Sequence, residues 1–138
     1  MTPRQIDLVQ KTWTKVLPVR NLAAELFYTK LFALDPTLQA LFRSNMKHQG
    51  DKLMAMISIV VQRLDRLDPI VPMLEDLGRR HVTYGARESH YATVGVALLW
   101  TLERALGETC TPEVKRAWVA AYTTLTNTMK TAAAKAAA

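Results

Sequence analysis

Seven apolar residues, Leu53, Met56, Ile57, Val60, Val61, Leu64 and Leu67, fall at offsets 0, 3, 4, 7, 8, 11 and 14. That spacing makes one wide stripe along an α-helix, and a strand of period two would scatter it over both faces. Asp68-Pro69 closes the stripe, because proline lacks an amide hydrogen and disfavours helix at the residue before it. The same periodicity recurs on both sides. Thr2 and Pro3 open a first helix whose apolar face is Ile6, Val9, Trp13, Val16 and Leu17, with Pro18 as its stop. A second helix from about Arg20 to Leu34 is expected to place Leu22, Leu26, Phe27 and Leu31 inside. Asp35-Pro36 then opens a short helical turn leading to Leu41-Phe42. Ile70 to Tyr84 reads as a further helix, stopped by Gly85. Tyr91, Val94, Leu98, Leu99, Leu102 and Leu106 form another stripe, ended by Gly107. Thr111-Pro112 caps a last long helix carrying Val114, Trp118, Ala121, Tyr122, Leu125 and Met129. The result is an all-α domain of six or seven helices, expected over residues 1–130. An alanine-rich tail, 131–138, has high helix propensity and is expected to bury nothing, so it extends the helix or frays.

A chain of 138 residues suits one domain with a real core, and 49% hydrophobic content argues against disorder. No apolar run reaches the roughly 18 residues a membrane span needs. The N-terminus lacks the apolar core of a signal peptide. Cys110 is the only cysteine, which excludes an internal disulfide and reads as a free thiol without a role. These features lead us to expect a cytoplasmic protein. The net charge of +6 is spread along the chain with no run longer than Arg79-Arg80. Without basic and aromatic interleaving, this disfavours nucleic acid and points to solubility, with a local role at an anionic cofactor.

His81 supplies the first chemical signal. It lies four residues after Leu77, so both share one helix face. Gln49 and Leu53 are also four apart, and Tyr28 lies upstream. A helical chain with His on one side of a cavity, and Tyr and Gln on the other, has the parts to hold a haem and a diatomic ligand. Each residue also has a plainer role available: core packing for Tyr28, Phe42, Tyr91 and Val94, and a solvated face for Gln49 and the cations.

The order of these residues resembles the globin family. Six stretches carry the likeness across nearly the whole chain: Phe27-Tyr28-Thr29-Lys30-Leu31-Phe32, Asp35-Pro36 with Leu41-Phe42, Gln49-Gly50-Asp51-Lys52-Leu53, His81, His90-Tyr91-Ala92-Thr93-Val94-Gly95, and Ala117-Trp118 with Ala121-Tyr122. It is strongest to bacterial single-domain haemoglobins, which are related to flavohaemoglobin haem domains and neuroglobin-like globins. The resemblance implies a globin fold of six to eight helices, three over three, around a haem b. It implies His81 as the iron ligand, with the other ring nitrogen donating to a backbone carbonyl one turn earlier. Phe42, Leu53, Leu77, Tyr91 and Val94 would line the haem. Lys52, Arg80 and His90 would meet its propionates, with Arg79 a further candidate.

Tyr28, Gln49 and Leu53 would form the ligand pocket. Dioxygen held there gains partial negative charge, which a Tyr28 hydroxyl and a Gln49 amide stabilise by about 1–3 kcal/mol each. Carbon monoxide gains less. His48, about 100° round the helix from Gln49, reads as a surface histidine. The alternative is a sixth iron ligand. One departure stands out. Flavohaemoglobins carry a last-helix glutamate beside the proximal histidine; its place here falls near Ala133, and no glutamate follows Glu113. His81 is therefore expected to be an ordinary neutral imidazole.

The expected function is reversible, high-affinity oxygen binding at ferrous iron, for storage or transport. The alternative is nitric oxide dioxygenation using a separate reductase. A gas sensor is disfavoured because no output domain follows. Oxygen, carbon monoxide and nitric oxide are the expected ligands, and a monomer the favoured state.

Overall fold

The computed structural model of the chain describes residues 1–42 and 45–137. Among these, six α-helices occur and no strand: α1 (Pro3–Val16), α2 (Arg20–Leu34), α3 (Met46–Gln62), α4 (Val71–Thr83), α5 (Glu88–Leu106) and α6 (Pro112–Ala137). Four 3-10 turns join them, over Leu17–Val19, Pro36–Leu41, Asp68–Ile70 and Gly107–Thr109. Each contains a proline or glycine that the helical pattern marks as a stop.

Helix starts follow side-chain chemistry. Thr2 Oγ1 accepts from the Gln5 amide at 3.1 Å, while Gln5 Oε1 accepts from the Thr2 amide at 3.0 Å. This reciprocal pair satisfies two amide donors that a helix N-terminus leaves unpaired. Asn45 Oδ1 accepts from the amides of Lys47 and His48 and starts α3. Thr111 Oγ1 accepts from the Val114 amide and starts α6.

The larger part of the core brings α1, α3 and α6 together with Ala23 and Ala24 of α2, Leu74 of α4 and Leu102 and Leu106 of α5. Trp13 and Trp118 meet with ring centres 5.9 Å apart. Each indole N–H is satisfied, Trp13 by Ser58 Oγ and Trp118 by Thr12 Oγ1, both at 2.9 Å. Burial of two indoles with their polar handles paired is favourable on both counts. The smaller part gathers Phe27, Tyr28, Leu31, Leu38 and Ala97 from α2, the Pro36 turn and α5.

Three expectations need correction. Leu22 is 56% exposed, because α2 turns Ala23, Ala24, Phe27, Tyr28 and Leu31 inward instead. Two alanines there let a neighbouring helix come close. Helix α3 stops at Gln62, before Asp68-Pro69. Its last turn tightens to bonds such as Leu64 N–H to Val61 O, while Gln10 Nε2 donates to that same Val61 carbonyl at 3.0 Å. A long-range hydrogen bond thus contributes to the ending, and Leu64 is buried beyond it. Finally, Ala132 is only 2% exposed, so part of the alanine-rich stretch is packed core rather than an idle extension. Ala138 lies outside the described residues.

Two glycines allow close helix crossings. A β-carbon on Gly50 of α3 would sit 3.0 Å from Ala24 Cβ of α2. One on Gly78 of α4 would overlap the Met129 carbonyl oxygen of α6 and lie 2.9 Å from the Met129 Cα. Backbone cannot swing aside as a side-chain tip can. Gly78→Ala should therefore destabilise the fold by about 1–3 kcal/mol through overpacking, despite alanine's better helix propensity. Urea unfolding would measure it, and an unchanged or raised midpoint would contradict this account of the crossing.

Candidate functional site

His81 stands near the end of α4, and the end itself is tied down. The Gly85 amide donates to Val82 O at 3.0 Å and the Ala86 amide to His81 O at 2.9 Å. Gly85 has φ +89°, which glycine adopts without strain. The His81 carbonyl is thus held by the closing loop. Its side chain is held as well: Nδ1 lies 2.7 Å from Leu77 O, one turn earlier. A carbonyl only accepts, so Nδ1 carries a proton in this bond, and Nε2 is the ring nitrogen left for a further partner. Leu77 and His81 are both half-buried.

The ring of Tyr91, on α5, lies against the imidazole at 6.3 Å between centres, with planes 28° apart. Tyr91 in turn is placed by Tyr122 of α6, whose hydroxyl donates to Tyr91 O at 2.6 Å. The Tyr91 hydroxyl is buried and has no hydrogen-bond partner among the described residues. One turn along α5, Val94 packs against the cluster of Tyr28, Leu31 and Leu38, together with Phe42 and Leu53. Helix α5 therefore touches both His81 and the Tyr28 cluster.

Tyr28 is 9% exposed and ringed by aromatics: Phe27 at 5.1 Å, Phe42 at 5.4 Å and Phe32 at 5.9 Å. Burial pushes its phenol up to about 12. Its hydroxyl donates to the backbone carbonyl of Gln49 at 3.4 Å, a long bond. Gln49 and Leu53 are half-buried on α3, and His48 beside them is exposed. The Gly50 crossing brings this turn of α3 to α2.

The cations expected at the propionates lie on three helices, Lys52 on α3, Arg80 on α4 and His90 on α5. Lys52 is exposed. Arg80 is exposed and paired with Asp76, one turn back on α4, at 3.0 Å. His90 is half-buried, and its Nδ1 accepts from the Arg87 amide at 3.0 Å, capping α5. Sequence reasoning quoted Phe32, Gly50 and Tyr122 only as part of the family likeness, without a site role, and did not single out Asn45 or Gly78. Asn45, directly before Met46 at the start of α3, was a readable cap signal; the roles of the others became visible only through tertiary contact.

A protein-family model described as Globin matches residues 25–129. The chain belongs to the globin family. Among proteins of known identity, it is 34% identical to a flavohemoprotein of Bordetella parapertussis over 99 residues, 70% of this chain and 25% of that protein. It is 28% identical to a flavohemoprotein of Xylella fastidiosa over 132 residues, 94% of this chain and 33% of that one. The chain thus corresponds to a quarter to a third of those relatives. Two solved structures share the fold. A hexacoordinated heme protein from an anhydrobiotic tardigrade superposes with a TM-score of 0.86 at 20% identity, over 96% of this chain and 95% of that one. A Rhodothermus marinus protein, described as a candidate nitric oxide dioxygenase and engineered as a carbene transferase, gives 0.89 at 20% identity, over 98% and 94%.

The prosthetic group of this family is a haem, and the residues fit one. His81 offers an imidazole held through Nδ1, and Leu77, Phe42, Leu53 and Val94 offer half-buried apolar surface on four different segments.

Two outcomes follow from the tyrosines. An unpaired buried hydroxyl costs about 1–3 kcal/mol, so Tyr91→Phe should keep or raise stability, whereas Tyr122→Phe, losing a 2.6 Å bond, should lower it. Thermal melts of both variants decide this; a larger loss for Tyr91→Phe would contradict it. Burial also raises the phenols of Tyr28, Tyr91 and Tyr122 above their usual value. The raised groups favour the fold fully below about pH 10, and that contribution fades as pH climbs through the folded value, about 12 for Tyr28. Urea stability should therefore fall above about pH 10, and less steeply in Tyr28→Phe.

Proposed function

We propose that this chain is a haem b globin that binds dioxygen reversibly and with high affinity at ferrous iron, for oxygen storage or transport. The observation that supports the reading is the 2.7 Å bond from His81 Nδ1 to Leu77 O, which leaves Nε2 as the nitrogen that would coordinate a metal. When bound, haem supplies a ferrous centre with an open position for a diatomic gas.

The chain's own residues then divide the work. His81 holds the iron, with Leu77 and Tyr91 setting its ring. Phe42, Leu53 and Val94 exclude water from the apolar faces. Tyr28 and Gln49 present hydrogen-bond donors to the gas, which requires the Tyr28 hydroxyl to leave its long contact with Gln49 O. Lys52, Arg80 and His90 are assigned to the propionates; Arg80 would exchange Asp76 for them, and His90 would use its second nitrogen. Residues 1–130 form the globin unit and 131–138 its tail. A cytoplasmic monomer served by a separate reductase completes the reading.

A second reading, nitric oxide dioxygenase, is supported by the flavohemoprotein relatives and the Rhodothermus marinus neighbour. Nitric oxide and dioxygen combine to nitrate with one electron drawn from the reductase. The same Tyr28 and Gln49 would serve both activities.

Absorption spectra of haem-loaded protein in ferric, reduced, CO-bound and oxygenated forms test the first reading. A Soret band that shifts with each gas and collapses in His81→Ala is expected. Tyr28→Phe and Gln49→Leu should each release oxygen about 5- to 100-fold faster, the equivalent of one lost hydrogen bond in a dry pocket. Failure to take up haem would end the proposal. Sustained nitric oxide turnover with a reductase, rather than a single stoichiometric round, would favour the second reading.

A further inference from the structure

We propose that the corner from Arg79 to Arg87, outside His81, is the docking surface for a separate acidic flavoprotein that donates single electrons. The proposal rests on the haem reading above. Tyr84 is 57% exposed, more than any other large apolar side chain described. Yet its ring centre lies only 6.2 Å from that of His81. One aromatic ring thus spans the distance from solvent to the imidazole. Val82 beside it is 36% exposed.

Cations frame this apolar tip. Arg79, Arg80 and Arg87 are all exposed, and no acidic residue occurs from Leu77 to Arg87. Asp76, which Arg80 would leave for a propionate, and Glu88 at the start of α5 flank the corner, so its local excess rests on Arg79 and Arg87. Arg79 and Arg87 make no ion pair among the described residues. Exposed tyrosine flanked by arginines is the composition that protein interfaces favour. A chain of net charge +6 with this local excess attracts an acidic partner and orients it before contact. The corner is also rigid: the paired bonds at Gly85 and Ala86 close it, and Gly85 sits against Leu41. A preformed surface loses little freedom when a partner seats on it. The transfer itself breaks no bond; the flavin gives up one electron and ferric iron takes it.

Oxidised flavodoxin, a small acidic flavoprotein, is a direct probe. Calorimetric titration of the ferric holoprotein should show binding that weakens steeply between about 20 and 200 mM salt. Arg79→Glu with Arg87→Glu should weaken it by about tenfold or more, and Tyr84→Ser several-fold. Val119→Ser, an exposed apolar change on α6, should leave it unchanged. Reduction of the ferric protein by photoreduced flavodoxin should slow in parallel, while reduction by dithionite should not. No flavodoxin binding, equal loss in Val119→Ser, or unchanged binding in the corner variants would overturn the proposal. So would binding of phosphatidylglycerol vesicles that shows the same variant losses while flavodoxin does not bind. A chain that shows no Soret band would instead sink the haem reading, which the spectra report separately from the titration.

Discussion

The crossing of α4 over α6 at Gly78 governs where His81 stands. Helix α4 has only Leu74 and Gly78 fully buried, so it is not held by a broad apolar face. It is held by coming close enough for its backbone to meet the backbone of Met129. His81 follows three residues later, on an adjacent face, and cannot move outward without α4 lifting from α6. The rest of its placement is local. The Leu77 carbonyl sets the ring, the Gly85 turn ends the helix, and Tyr91 flanks the imidazole.

The Tyr28 side is built by an analogous device with different residues. Gly50 and Ala24 bring α3 against α2, and the aromatic group of Phe27, Phe32 and Phe42 then fixes the Tyr28 ring. Its hydroxyl is the one polar atom in that ring of aromatics, and it reaches the nearest backbone acceptor, Gln49 O. A phenol at the edge of an apolar cluster is a neutral donor at every ordinary pH, because burial opposes its ionisation. Such a donor suits a ligand that gains partial negative charge. The two sides communicate through α5, which presents Tyr91 to one and Val94 to the other.

Much of this was legible in the sequence. The stops at Pro18, Pro36, Pro69, Gly85 and Gly107 mark the chain turns because proline and glycine act on the backbone itself, whatever surrounds them. The stripe from Leu53 to Val61 marks the α3 face for a similar reason. Legibility ended where tertiary contacts decide. Leu22 satisfies the apolar pattern of α2 but faces out, because the neighbouring α3 selects the face with Ala24 rather than the larger side chain. The end of α3 lies at Gln62 although no breaker stands there, and Gln10, distant in sequence, takes one of its last carbonyls. At the site, the bond from His81 to Leu77 follows from helix geometry and was foreseeable. The Arg80–Asp76 pair and the His90 cap are also local, yet they compete with the propionate role that charge alone suggests.

The core is unevenly divided, and the division bears on function. The Trp13–Trp118 pair and its satisfied indoles stabilise α1, α3 and α6 without involving His81. By contrast, α4 combines a slight buried face with a half-buried Leu77 and His81. Any group bound by those two side chains would add to the anchoring that α4 has from Leu74 and the crossing with α6. Binding to the native state alone stabilises it by an amount that grows with the logarithm of free ligand over its dissociation constant. The helix carrying the metal-ligand candidate is therefore where a bound group would add contacts, while the tryptophan pair ties α1, α3 and α6 together without His81.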